Sequence, residues 1–124
     1  MYFKSGVMIT AFVLTYVLLV FFATAWWQAV PLALFLGLCA AGIGFNVQHD
    51  GAHGGFSRHR FINKMAAMTL DLLGGSSYMW RLQHNVLHHS YTNLAGADHD
   101  INTGGLGRLS PAQVLRRFHR FPPF

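Results

Sequence analysis

The stretch GVMITAFVLTYVLLVFFATAWWQAVPLALFLGLCAAGIGFNV, residues 6–47, contains no charged side chain, and its few polar residues are Thr10, Thr15, Thr24, Gln28 and Asn46. A single helix through all of it would be about 63 Å long, roughly twice the hydrocarbon thickness of a bilayer. The run therefore reads as two crossings of about 20 residues each. The break falls at WWQAVP, residues 26–31. Trp26 and Trp27 suit a membrane interface, Gln28 is the most polar residue nearby, and Pro31 suits the first turn of a new helix. Spans over about residues 6–27 and 31–53 follow from that break. Small residues at Ala33, Gly37 and Ala41, and again at Ala40 and Gly44, allow close helix contact in lipid.

A secretory signal is the competing reading. Lys4 would be its charged start, residues 6–22 its apolar core and ATA, 23–25, its cleavage site. That core is long for the role, and a second apolar segment follows at once.

Composition agrees with the membrane reading. Of 124 residues, 52% are hydrophobic and only 10% charged, whereas soluble domains average about 25% charged residues. The length allows one domain at most. The net charge of +5 comes from basic residues beside apolar segments, which points to a membrane surface and away from nucleic acid. Cys39 is the single cysteine, so an internal disulfide and a cysteine-based zinc site are excluded. The acids are Asp50, Asp71, Asp98 and Asp100, set against eight histidines. Any metal site here must be nitrogen-rich. Lys4 precedes the first span, and Arg58, Arg60, Lys64 and Arg81 follow the second. The positive-inside rule then places the N-terminus and everything after the second span on the cytoplasmic side.

Beyond the spans, RFINKMAAMTLDLL (60–73) has apolar residues at 61, 62, 65, 68, 72 and 73, with Thr69 on the same stripe. This is a helical stripe suited to lying on the membrane surface. GGSS (74–77) ends it and offers Ser76 or Ser77 to cap a further helix over about 77–91. NLAGADHDINTGGLG is loop-like. SPAQVLRRFHRF predicts a short basic helix over about 111–120, with Ser110 as cap and Pro111 at its first position. The predicted fold class is an all-α membrane protein, a transmembrane helical hairpin followed by cytoplasmic-side interfacial helices.

Two histidine clusters lie in this frame. HDGAH carries His49 and His53 at the end of the second span. Four residues apart on a helix, the two rings share a face and can converge on one ion. HNVLHH carries His84, His88 and His89. On an α-helix His84 and His88 are about 40° apart in projection, with His89 about 100° further round. His89 is thus expected to point aside, toward a second ion or none. Only about 30 residues separate His53 from His84, whereas crossing the bilayer and returning needs about 40. Topology therefore puts all five imidazoles on one side of the membrane. Neutral imidazole suits Zn, Cu, Fe and Ni, and the shortage of carboxylates argues against Ca, Mg and a carboxylate-bridged di-iron bundle.

GFNVQHDGAHGGFS (44–57) and LDLLGGSSYMWRLQHNVLHHSYTN (70–93) resemble the first two histidine boxes, HxxxH and HxxxHH, of the membrane fatty acid desaturases. The flanks GGSSYMWR and HHSYTN bring the chain closer to the acyl-CoA or front-end type. The resemblance covers roughly residues 40–120. It implies a non-haem di-iron centre held almost wholly by histidine, with His49, His53, His84, His88 and His89 as ligands. It also implies an acyl-CoA or acyl-lipid substrate within membrane lipid, and an electron donor of ferredoxin or cytochrome b5 type. With O2 such a centre removes two hydrogens from an unactivated acyl chain. Alkane and carotenoid hydroxylases share similar boxes and remain an alternative, as does a non-catalytic membrane protein that binds metal.

Departures from the family pattern carry their own expectation. The family has a third box after a second pair of spans, and this sequence contains neither. His59, His99 and His119 are single and read as surface or loop residues. His99 sits between Asp98 and Asp100 in a loop resembling the acidic loop that follows the family's second box. The run FHRFPPF (118–124) departs from the HRYQH-like run expected there. The chain is therefore expected to be an N-terminal fragment, incomplete relative to the four-span desaturase fold and inactive alone.

Overall fold

The computed structural model describes residues 1–120; the FPPF that closes the FHRFPPF run lies outside the described residues. Among the described residues every regular element is helical. The chain divides into two compact units, Met1–Ser77 and the residues from Tyr78 onward.

In the first unit, α1 (Tyr2–Val17) continues through a π-helical turn at Leu18–Phe22. After a short break, α2 (Trp26–Ile43) runs through a second π-helical turn, Gly44–Gln48, into α3 (His49–Ala52). Tyr2–Phe22 and Trp26–Ala52 are both long and apolar enough to cross a membrane. The break is extended backbone at Ala23 and Ala25. The Gln28 side-chain oxygen folds back over it, accepting the Thr24 N–H at 3.0 Å and the Thr24 hydroxyl at 3.3 Å. This closure starts the second helix at Trp26, before the expected Pro31. Pro31 therefore lies inside α2, where it leaves the Trp27 carbonyl without its helical donor.

The start of α1 lies beside the end of α2. Lys4 donates to the Asn46 side-chain oxygen, and Met8 packs at Gly42, 3.5 Å from where a Cβ would stand. Polar groups in these apolar helices are satisfied by the preceding turn. The Thr15 hydroxyl donates to the Ala11 carbonyl at 2.7 Å, and the Asn46 amide to the Gly42 carbonyl at 2.9 Å. The burial pattern is inverted relative to a soluble helix. Ser5 and Thr15 are buried, while Phe21, Trp26, Leu38 and Phe45 are 72%, 78%, 70% and 76% exposed. In water such exposure forfeits about 25 cal/mol per Å2 of apolar surface.

The core of this unit is Ile43, Val47, Phe56 and Ala66, with Met8, Phe12, Ile62 and Leu73 packed on it. It sits at the histidine-bearing end of the long helices. There α3 ends just beyond His53 in a Schellman closure, with Gly54 at φ 74°. Gly54 N–H bonds the Gly51 carbonyl at 3.0 Å and Gly55 N–H the Asp50 carbonyl at 2.8 Å. α4 (Arg60–Ala67) then crosses α3. Asn63 ties the connection together. Its oxygen accepts the Ser57 N–H at 2.7 Å, and its amide donates to the carbonyls of Gly54 at 3.0 Å and Ser57 at 2.9 Å. Asn63→Ala would strand these half-buried partners and is expected to cost about 2–3 kcal/mol, measurable as a lower unfolding midpoint in detergent. An unchanged midpoint would mean that water replaces Asn63 fully.

The stripe over 60–73 is not one helix. It bends at Met68, where the Thr69 hydroxyl bonds the Ala66 carbonyl at 2.6 Å, and resumes as α5 (Thr69–Leu72). A second closure of the same kind ends α5, with Gly74 at φ 87° and Gly75 N–H on the Leu70 carbonyl at 3.0 Å.

α6 (Ser77–Trp80) begins at the edge of the first unit and runs into a π-helix, Arg81–His88. The Asp71 carboxylate accepts the Ser77 N–H at 3.1 Å, and bonds from the Ser77 hydroxyl and backbone hold its pKa below the ordinary carboxylate value. Residues 111–120, expected as one helix, are turns followed by a single 3-10 turn at Arg117–Arg120. The reason is Gln113. Its side-chain oxygen accepts the N–H groups of Leu109 (2.8 Å) and Ser110 (3.1 Å), and its amide donates to the Ile101 carbonyl at 2.8 Å. Arg108 meanwhile takes the carbonyls of Pro111 and Gln113, so these oxygens serve the loop and not a helix.

Candidate metal centre

In the first unit, His49 begins α3 and His53 closes it. The π-helical turn before α3 hands the His49 N–H to the Gly44 carbonyl. The two rings come together with centroids 4.5 Å apart, as four-residue spacing on one face requires. His49 Nδ1 lies 3.5 Å from the Asp50 carboxylate. Gln48, immediately before, is buried, and its side-chain nitrogen has no hydrogen-bond partner among the described residues.

The second unit gathers the other three histidines at the end of its π-helix. In a π-helix the turn closes at the fifth residue, so His84 lies under both His88 and His89. Ring centroids are 5.0 Å apart for His84 and His88, 5.2 Å for His84 and His89, and 5.5 Å for His88 and His89. The His89 ring comes close but stands at 87° and 83° to the other two. The donor atoms of His84 and His88 group with Asp100 and not with His89 among the described residues, in keeping with the expectation that His89 points aside. Trp80 extends the column, its ring stacked on His84 at 4.3 Å with an interplanar angle of 25°.

Two carboxylates that sequence reasoning left unassigned complete this cluster. His88 Nδ1 lies 2.9 and 3.0 Å from the two oxygens of Asp98, and His84 Nδ1 is hydrogen-bonded to Asp100. Asp98 is buried. Its carboxylate also accepts the Asn93 N–H at 2.8 Å and the Asp100 N–H at 3.0 Å. Burial works against its charge, but the bonds from His88, Asn93 and Asp100 outweigh it and hold its pKa below the ordinary carboxylate value. The spacing that could have revealed this is Asp-x-Asp. An Asp bonding the N–H two residues on forms a turn, and that turn carries the second Asp toward His84.

The remaining histidines serve elsewhere. His59 N–H bonds the Ser57 hydroxyl at 3.2 Å. His119 closes the last loop, accepting the Arg116 N–H at Nδ1 (3.2 Å) and donating from Nε2 to the Gly105 carbonyl (3.0 Å). His99 is exposed.

The donor chemistry suits a first-row transition metal. His84, His88 and Asp100 each offer an atom within 4.8 Å of the others. A carboxylate only accepts hydrogen bonds, so Asp98 and Asp100 engage Nδ1–H of His88 and His84, which makes Nε2 the basic nitrogen of each ring. Residues present and metal chemistry fit.

Fold and site thus define a helical chain with two helices of membrane-spanning length and a histidine cluster of metal-binding chemistry. Comparison with known proteins narrows the class. The fatty acid desaturase family model matches residues 24–124, and the chain belongs to that family. It is 38% identical over 121 residues to the sn-1 linoleoyl-lipid 6-desaturase of Arthrospira platensis, covering 98% of this chain and 33% of that protein. It is 42% identical over 91 residues to the enzyme of the same name from Synechocystis sp., covering 73% and 25%. It is 34% identical over 120 residues to the acyl-lipid (8-3)-desaturase of Physcomitrium patens, covering 95% and 25%. The chain thus spans no more than about a third of the length of these relatives. No solved structure matches it.

Proposed function

We propose that this chain carries the first two histidine boxes of an acyl-lipid desaturase, with His49, His53, His84, His88 and His89 as ligands of a non-haem di-iron centre. The observation that carries the reading is the second-box cluster, three imidazoles with two of their Nδ1 atoms on carboxylates. An alkyl C–H bond has no acidity for a base to exploit, so bound iron would supply the oxidising power. In the overall reaction two hydrogens leave the acyl chain, O2 takes them with two electrons and two protons from the donor side, and water is released. The substrate class follows the relatives' names, which specify acyl chains on lipids. Ferredoxin or cytochrome b5 type donors supply the electrons.

The exposed aromatic and aliphatic side chains of α1 and α2 support their placement in lipid as a hairpin. Lys4 at one end and Arg58, Arg60 and Lys64 at the other support a cytoplasmic position for both ends and for the boxes. The chain's own residues then hold the site at the bilayer boundary, within reach of an acyl chain.

Mass spectrometry of the lipid products tests this. Membranes holding the protein together with the remaining family boxes, supplied with O2 and a reducing system, are expected to gain a carbon–carbon double bond. A hydroxylated product would instead favour the hydroxylase reading. The 124-residue chain alone is expected to give neither, because five imidazoles are too few for two irons of this kind; desaturation by that chain would overturn the ligand account.

A further inference from the structure

We propose that Asp98 and Asp100 are positioning residues, which fix the tautomer and ring plane of His88 and His84 so that Nε2 of each faces the metal. The inference rests on the metal-site reading above, but its geometry stands within the second unit alone. Asp98 has a fully buried side chain and is immobilised before it meets the ring. The Asn93 and Asp100 N–H groups take one oxygen each, and Asn93 holds φ 64°, turning the chain so that its N–H can reach. The ring of His88, ten residues earlier, then meets both oxygens at 2.9 and 3.0 Å. A carboxylate gripped from three sides presents one fixed acceptor plane, so Nδ1 of His88 must carry the proton.

Asp100 is tied to the same frame through its own N–H. Its Oδ2 is hydrogen-bonded to His84 Nδ1 and lies 3.9 Å from His88 Nδ1. One loop therefore sets two imidazoles in near-parallel planes, 14° apart. The competing role for Asp100 is direct ligation alongside His84 and His88.

Two readouts on the detergent-solubilised protein test the proposal. In metal-free protein, 15N chemical shifts of the histidine rings are expected to show Nδ1–H for His88 and His84. Asp98→Ala should release His88 to a mixture of tautomers, while Asp98→Asn, which still offers an acceptor oxygen, should keep Nδ1–H. Titration with Co(II) should then show affinity reduced about 10- to 100-fold in Asp98→Ala, the usual cost of losing such a partner, with Asp98→Asn in between. Unchanged tautomer and affinity in Asp98→Ala would overturn the proposal. If Asp98→Ala fails to fold by circular dichroism, Asp100→Ala decides. A freed His84 tautomer supports positioning, whereas loss of Co(II) binding with the tautomer intact makes Asp100 a ligand and overturns it. Wild-type protein with the expected tautomers but no Co(II) uptake would sink the metal-site reading and leave the orienting role standing.

Discussion

By the proposed ligand assignment, His88→Ala in an active desaturase carrying these boxes is expected to abolish double-bond formation, by more than about 100-fold, whereas His59→Ala is expected to leave it near wild type. Loss of a partner outside the coordination shell already costs about 10- to 100-fold in metal affinity or activity, and His88 is a proposed ligand with that partner attached. Its ring stacks on His84 and is anchored at Nδ1 by buried Asp98. Removing it would also leave the Asp98 carboxylate buried without its imidazole donor, which costs folding energy as well. His59 donates its N–H to the Ser57 hydroxyl and accepts the Asn63 N–H at its carbonyl, both through its backbone. The check is product yield per protein, measured alongside iron content. Comparable losses from both substitutions would undercut the ligand assignment.

Gly51→Ala, a single added methyl group, is expected to lower stability by roughly 2–3 kcal/mol and to misplace the first histidine pair. A Cβ at position 51 would stand 2.6 Å from Ala66 Cβ, 2.6 Å from Ala67 N and 2.8 Å from the Asn63 carbonyl. None of these atoms is the end of a flexible side chain, so α3 and α4 must move apart. Folded domains hold only about 5–15 kcal/mol in total, and His49 and His53 ride on the displaced element. Gly37→Ala is the control, because a Cβ there meets nothing within 4 Å. Thermal unfolding in detergent should show a lower midpoint for the first variant and none for the second; equal midpoints would mean the helix crossing is softer than drawn.

The long helices could be expected from sequence because the absence of charge over 42 residues is a bulk property that no local interaction reverses. Their boundaries were harder to read. Pro31 looked like a helix start, yet the side chain of Gln28 closes the turn at Thr24 and starts the helix earlier. Ser110 and Pro111 looked like another start, and there Gln113 and Arg108 hold the chain in turns. In each case one long polar side chain supplied bonds that local propensity assigns to the backbone.

The candidate site divides the same way. Histidine identity and spacing were legible, and so was the shared face of His49 and His53. The close approach of the His84, His88 and His89 rings was not, because it depends on a π-helix, which hydrophobic periodicity does not announce. The pairing of Asp98 and Asp100 with histidines is not legible in the sequence, because their partners lie ten and sixteen residues away. Scarcity of carboxylates argued against their bridging irons, and by the proposal above they stand one imidazole removed from the metal.

Metal analysis of the purified protein, held together with the remaining family boxes, tests the central claim most directly. Iron in a di-iron stoichiometry, lost together with double-bond formation in His88→Ala, is the predicted result. Zinc or copper bound at a single equivalent, in a protein with no oxygen-dependent activity, would contradict it.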